Sequence, residues 1–241
     1  MEGTPLTRAQ AEMERRRQEI ASEFRQILDN PKGKAHSLEQ IKYLSVLYGL
    51  VHQTVTAYSQ LWDSASEKNV MYCAFNTRNL LELMIWSDYC CVSLENGLRF
   101  AEDTVRDYAG MLVAIRELAT VWDDKKSLAE VAQLLADHAV SANAHGMDTE
   151  DHRYFRVAMA AKELGPQVEL SFKYINNVIS KFVHPTAFVV NNAAFPQWDD
   201  DFAKKVISEM FSMGVSDAEA ILNRIATKVV SLNAQSDPGC S

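Results

Sequence analysis

The stretch from Lys68 to Ser93 reads "KNVMYCAFNTRNLLELMIWSDYCCVS". It holds neither Gly nor Pro, and its apolar side chains fall on nearly every side of a helix. A helix that is apolar all round is buried on all sides by other elements. It is not a bilayer span, because Arg78, Glu82 and Asp88 interrupt it and no run in the chain approaches the ~18 uninterrupted apolar residues such a span needs. The chain is therefore expected to fold as a soluble protein wrapped around this one central helix.

The remaining segments supply the wrapping. The chain has 9 Gly and 6 Pro in 241 residues, too few for the regular turns of an all-β fold. From Thr7 to Asp29, Met13, Ile20, Phe24, Ile27 and Leu28 line one stripe of a charged helix that ends at "DNPKGK". Ser37 and Gln40 form a capping box before a helix with Ile41, Leu44, Leu47, Tyr48, Val51, Val55 and Tyr58 on one face. Further helices are expected from Gly97 to Trp122, from a Ser127–Glu130 capping box onward, from His152 to Leu164, and from Gln167 to Val183. Two more follow, over 199–213 and 216–232, with a loop "SANAHGMDTED" earlier and "HPTAFVVNNAAFPQW" between. The expected architecture is all-α, a single bundle of eight or nine helices. It divides into an N-terminal amphipathic helix (1–36), free to pack loosely or mediate self-association, a bundle domain (37–233) and a disordered tail (234–241).

The formal net charge of -8 argues against a broad grip on duplex DNA, which needs clustered Lys and Arg. The N-terminus is charged and has no apolar core of a signal peptide, so a cytoplasmic location is expected. Cys73, Cys90, Cys91 and Cys240 include no CxxC pair, and they read as free thiols of a reducing compartment.

Two constellations carry candidate chemistry. Arg78 and Glu82 lie four apart on one face of the central helix. Buried among Phe75, Leu80, Leu81 and Trp86, such a pair either fixes helix register or lines a polar pocket. The second is "YINNVISKFVHP", in which Asn177, Ser180 and His184 fall at i, i+3 and i+7, with Tyr174 extending the edge. Leu170, Ile175, Val178, Ile179, Phe182 and Val183 are expected to bury the rest of that helix. Pro185 disfavours helical geometry at His184 and sets it at the helix C-terminus, where the imidazolium form is favoured. This stripe reads either as a capping histidine with core-facing polar groups or as a ligand-binding edge. No Gly-x-Ser-x-Gly elbow, P-loop or Rossmann glycine pattern is present. His138, His145 and His152 recur every seven residues near Asp137, Asp148 and Asp151, but Gly146 and the polar loop separate them, so neither metal nor cofactor is expected.

"TRNLLEL" followed by "YINNVISKFVHPT" resembles an uncharacterised bacterial all-helical family with an Arg-x3-Glu helix and a later Tyr…Ser-x3-His-Pro helix, and the pattern is similar to the broader HEPN-like bundles. That resemblance covers roughly residues 40–190 and implies a HEPN-like core, a defence or toxin–antitoxin context and, in active members, metal-independent RNA cleavage through Arg-x4–6-His across a dimer interface. Here residues 177–179 are Asn-Val-Ile, so the arginine is missing from its place before His184.

Three functions follow as expectations. The first is a non-catalytic module binding a small ligand, a nucleotide or RNA, or a partner protein through Arg78, Glu82, Tyr174, Asn177, Ser180 and His184. The second is an RNase with His184 as acid–base group and Arg78 as phosphate contact. The third is a purely structural protein. A homodimer is compatible with each.

Overall fold

The computed structural model describes residues 5–29, 37–144, 155–184, 186 and 200–235. Among these there are eight helices and no strand: α1 (Pro5–Leu28), α2 (Leu38–Ser66), α3 (Val70–Val92), α4 (Leu94–Val121), α5 (Lys125–Ala144), α6 (Val157–Leu164), α7 (Pro166–Val183) and α8 (Asp200–Gln235). The all-α bundle expected from periodicity is the architecture found.

α3 is the hub, as its all-round apolarity predicts. It packs against α2, α4, α6, α7 and α8. Cys73, Ala74, Leu80, Leu81, Ile85, Tyr89 and Cys90 are buried around its circumference. Some polar groups inside this core are satisfied by backbone, although the Oδ1 of buried Asn76 has no hydrogen-bond partner among the described residues: the Thr77 hydroxyl lies 2.9 Å from both Cys73 O and Met210 O. Tyr43 OH donates to Cys90 O at 3.0 Å. The start of α3 is less covered, with Tyr72 63% exposed.

Local sequence sets the helix ends. The Ser37 capping box forms as expected: Gln40 N donates to the Ser37 hydroxyl and Ser37 N to the Gln40 side chain. α6 and α7 meet at Gly165, whose φ of 127° is open only to glycine at low cost, and Pro166 then opens α7 at N1.

Several expectations are corrected. α8 is one continuous helix of 36 residues rather than two. Gly214, in the gap left between the two expected helices, is helical and lets α8 approach the core; a Cβ there would lie 2.5 Å from Leu61 Cδ2. α1 is no loose appendage, because Met13, Ile20, Phe24 and Ile27 join the core against α2 and α8. α5 begins at Lys125, where the Asp124 carboxylate accepts from the Ser127 N–H (3.1 Å) and hydroxyl (2.6 Å), so Asp124 takes the capping role assigned to Ser127. α5 also runs to Ala144 through the start of the expected loop, and α6 starts at Val157, not His152. The expected disordered tail falls partly in α8, which reaches Gln235; residues 236–241 lie outside the described residues.

Candidate binding surface

The two helices bearing the sequence motifs, α3 and α7, pack directly on each other. Their candidate residues do not form a bonded cluster: among the described residues no hydrogen bond or ion pair joins Arg78 or Glu82 to Tyr174, Asn177, Ser180 or His184. Arg78 Nε donates to Glu82 Oε1 at 3.0 Å, and both side chains keep about 30% exposure (29% and 30%). The pair is therefore half-exposed rather than buried, because it lies on the side of α3 that its neighbours leave partly uncovered.

On α7, Phe172, Ile179 and Phe182 bury one face. Tyr174 (61%), Val178 (60%) and Leu170 (47%) are exposed together with Asn177 and His184, and Ser180 is half-buried. The expectation that Leu170 and Val178 are buried is corrected. Among the described residues α7 has substantial contacts only with α3 and α6, so positions on its far side at i, i+4 and i+8 meet solvent. His184 caps α7 in extended geometry (φ -100°, ψ 152°) as its place before Pro185 requires, and its N–H donates to Ser180 O at 3.4 Å. Pro185 itself lies outside the described residues.

The histidine series offers no metal centre among the described residues. His138 Nε2 lies 3.0 Å from Val105 O, with its ring beside Tyr108, while His145, His152, Asp148 and Asp151 lie outside the described residues. Cys73 and Cys90 are buried, Cys91 is half-buried, and all three are free; Cys240 lies outside the described residues. Burial pushes the Cys73 and Cys91 thiols up to about 11, which keeps them protonated and poor nucleophiles.

A large open groove lies elsewhere, between α2 and the start of α4. This groove has a volume of about 820 Å³. Val46 and Leu50 of α2, Leu83 of α3 and Ala101 and Val105 of α4 give it an apolar lining, and Glu39, Lys42, His52 and Glu102 add charged or polar groups. Gly49 is among its lining residues. Gly97 lets α4 meet the ring of Tyr43 at one crossing, whereas a methyl group added to Gly49 would meet nothing within 4 Å. Ile41 (43%), assigned to the buried face of its helix, remains exposed at this opening, and Tyr48 (37%) of the same face is exposed beside Phe24 of α1.

Beyond the groove α4 continues into an arm. Among the described residues α5 packs on α4 and on no other helix to a comparable extent. Ala109, Leu112 and Ala119 are the buried residues of this part of α4. Tyr108 (40%), Met111 (51%), Ile115 (41%), Leu118 (46%) and Trp122 (70%) remain exposed. The groove is not evident from sequence alone; of the row, Tyr108, Ile115 and Leu118 belong with Val105 and Leu112 to the apolar set that helical spacing marks in this segment, and what spacing does not show is that they stay exposed.

Smaller features surround these. A second opening of about 690 Å³ lies between the end of α3 and α8, where Arg224 is paired with Asp88. An aromatic cluster of Trp86, Tyr89, Phe100 and Phe155 closes the bundle beside α6, with the Arg99 guanidinium 3.9 Å above Phe155. No family model, curated protein or solved structure matches the chain.

Proposed function

We propose that the chain is a non-catalytic, HEPN-like helical module that binds a partner protein, and that its binding site is the α2–α4 groove rather than the polar edge of α7. The observation that carries this reading is the groove itself: about 820 Å³, apolar in its lining, with ionisable groups around it, and flanked by an uncovered apolar row on α4. An apolar trough between two helices suits the apolar face of a third amphipathic helix, and the charged groups then set its direction. The RNase alternative has less support, since the Arg78 guanidinium is engaged by Glu82 and His184 stands exposed at the end of α7.

The test uses a fluorescein-labelled synthetic amphipathic helix with leucines at alternating three- and four-residue spacing. Its anisotropy rises saturably with the full-length chain, and Val46→Glu or Gly49→Phe removes the rise while thermal melting stays cooperative. A wild-type chain that shows no saturable rise overturns the reading.

A further inference from the structure

The α2–α4 groove continues over α2 onto the side that faces α1, and we propose that the partner helix crosses α2 at Ser45 and Gly49, its N-terminal end over α4 and its C-terminal end over α1. The proposal rests on the reading of the groove as a helix-binding site and gives the bound helix its path and polarity.

The path follows from a shared ridge. A second opening, of about 320 Å³, lies between α1 and α2, where Phe24 and Leu28 of α1 face Leu44 and Tyr48 of α2. Ile41, Ser45 and Gly49 line both this opening and the α2–α4 groove. They stand four apart, so they form one ridge along α2 with an opening on either slope. Past Ile41 the ridge is low, since a hydroxymethyl group and a hydrogen are all that Ser45 and Gly49 carry. The Ser45 hydroxyl already donates to Ile41 O at 2.9 Å, so covering it strands no donor. α1 and α4 both pack on α2 but not on each other to a comparable extent, and Ser45 and Gly49 between them are exposed. Leu28, nearly half exposed, extends the apolar surface onto the α1 slope.

Gly49 points the same way. A glycine inside a helix is destabilising relative to alanine. Gly97 and Gly214 have a reason within the chain, because a Cβ would strike Tyr43 or Leu61. At Gly49 a Cβ would meet nothing within 4 Å. Its missing side chain therefore serves an approach from outside, at the low point of the ridge, where a second helix can come close. Gly110 is equally free but lines neither opening, which makes it the control.

Charge supplies the direction. Glu39 and Glu102 against Lys42 leave the α4 end of the trough net negative, whereas exposed Arg25 lines the α1 end. A helix carries partial positive charge at its N-terminus and partial negative charge at its C-terminus, so it lies with the N-terminus toward Glu102 and the C-terminus toward Arg25. The partner is an amphipathic helix with a basic first turn and an acidic last turn, the opposite of the usual arrangement.

The anisotropy assay with the labelled helix tests the path. Gly49→Ala and Leu28→Asp each weaken binding about 10-fold, while Gly110→Ala leaves it unchanged. Both glycine substitutions raise the melting temperature, so the loss of binding in Gly49→Ala is not a loss of fold. If Gly49→Ala or Leu28→Asp binds as tightly as wild type, the crossing is overturned and the groove reading stands. A wild-type chain that does not bind overturns both. For the direction, two versions of the helix are compared, one with lysines in its first turn and glutamates in its last, the other with these exchanged. The first binds more tightly, and Arg25→Glu narrows or reverses the difference. An Arg25→Glu chain that keeps the wild-type ratio overturns the direction.

Discussion

Gly97 lies against the ring of Tyr43 with no room between them for even a methyl group. Tyr43 cannot yield, since its side chain is 2% exposed and its hydroxyl is tied to Cys90 O. Gly97→Ala is therefore expected to destabilise the fold by about 1–3 kcal/mol through overpacking, despite the better helix propensity of alanine. Urea unfolding of the variant checks this; a variant as stable as wild type would show that the crossing relaxes freely.

Asp103 ties the start of α6 to α4. It is 5% exposed, accepts the Phe155 N–H at 2.5 Å and pairs with Arg106 at 3.0 Å. Asp103→Ala leaves a buried N–H and a guanidinium without their acceptor, so a loss of about 3–5 kcal/mol is expected. The exchange protection of α6 amides, measured by hydrogen exchange, should fall more than that of α2.

Asp217 of α8 is half-buried, and its Oδ2 is cut off from solvent with no hydrogen-bond partner among the described residues. Desolvation raises its carboxyl from 3.8 to about 6. A raised folded-state value means the native state holds the proton more tightly than the unfolded chain. The resulting stability is complete below the unfolded value and is lost as pH rises through about 6. Asp217→Asn should thus stabilise the protein at about pH 7–8 by on the order of 2 kcal/mol and leave it nearly unchanged near pH ~4. Melting temperatures of both proteins across that range decide the matter, and an equal effect at both ends would count against the burial argument.

The Arg78–Glu82 pair is half-exposed, and such pairs contribute little. Arg78→Ala is expected to cost less than ~1 kcal/mol. Incubation of wild type with labelled RNA in EDTA should give no cleavage. If cleavage occurs and both Arg78→Ala and His184→Ala abolish it, the RNase reading replaces the binding one.

The helices were legible because each buries one face and repeats its apolar residues accordingly, and the central place of α3 was legible because it repeats them on every face. The continuity of α8 through residues 214 and 215 was not legible, because Gly214 there answers to Leu61 on α2, a helix far away in sequence. The same limit hid the groove. It lies between α2 and α4, with open space beside Gly49, a relation between two segments that neither carries alone. The α7 stripe was recognisable as a polar edge, but which side of that helix faces α3 depends on packing rather than on spacing.

The attachment of α5 to α4 alone, among the described helices, also bears on how the molecule opens. A helix held by one neighbour, with Val131 and Ala142 as its buried residues, can detach without disturbing the core around α3. Residues 125–144 are therefore expected to open locally at low free energy.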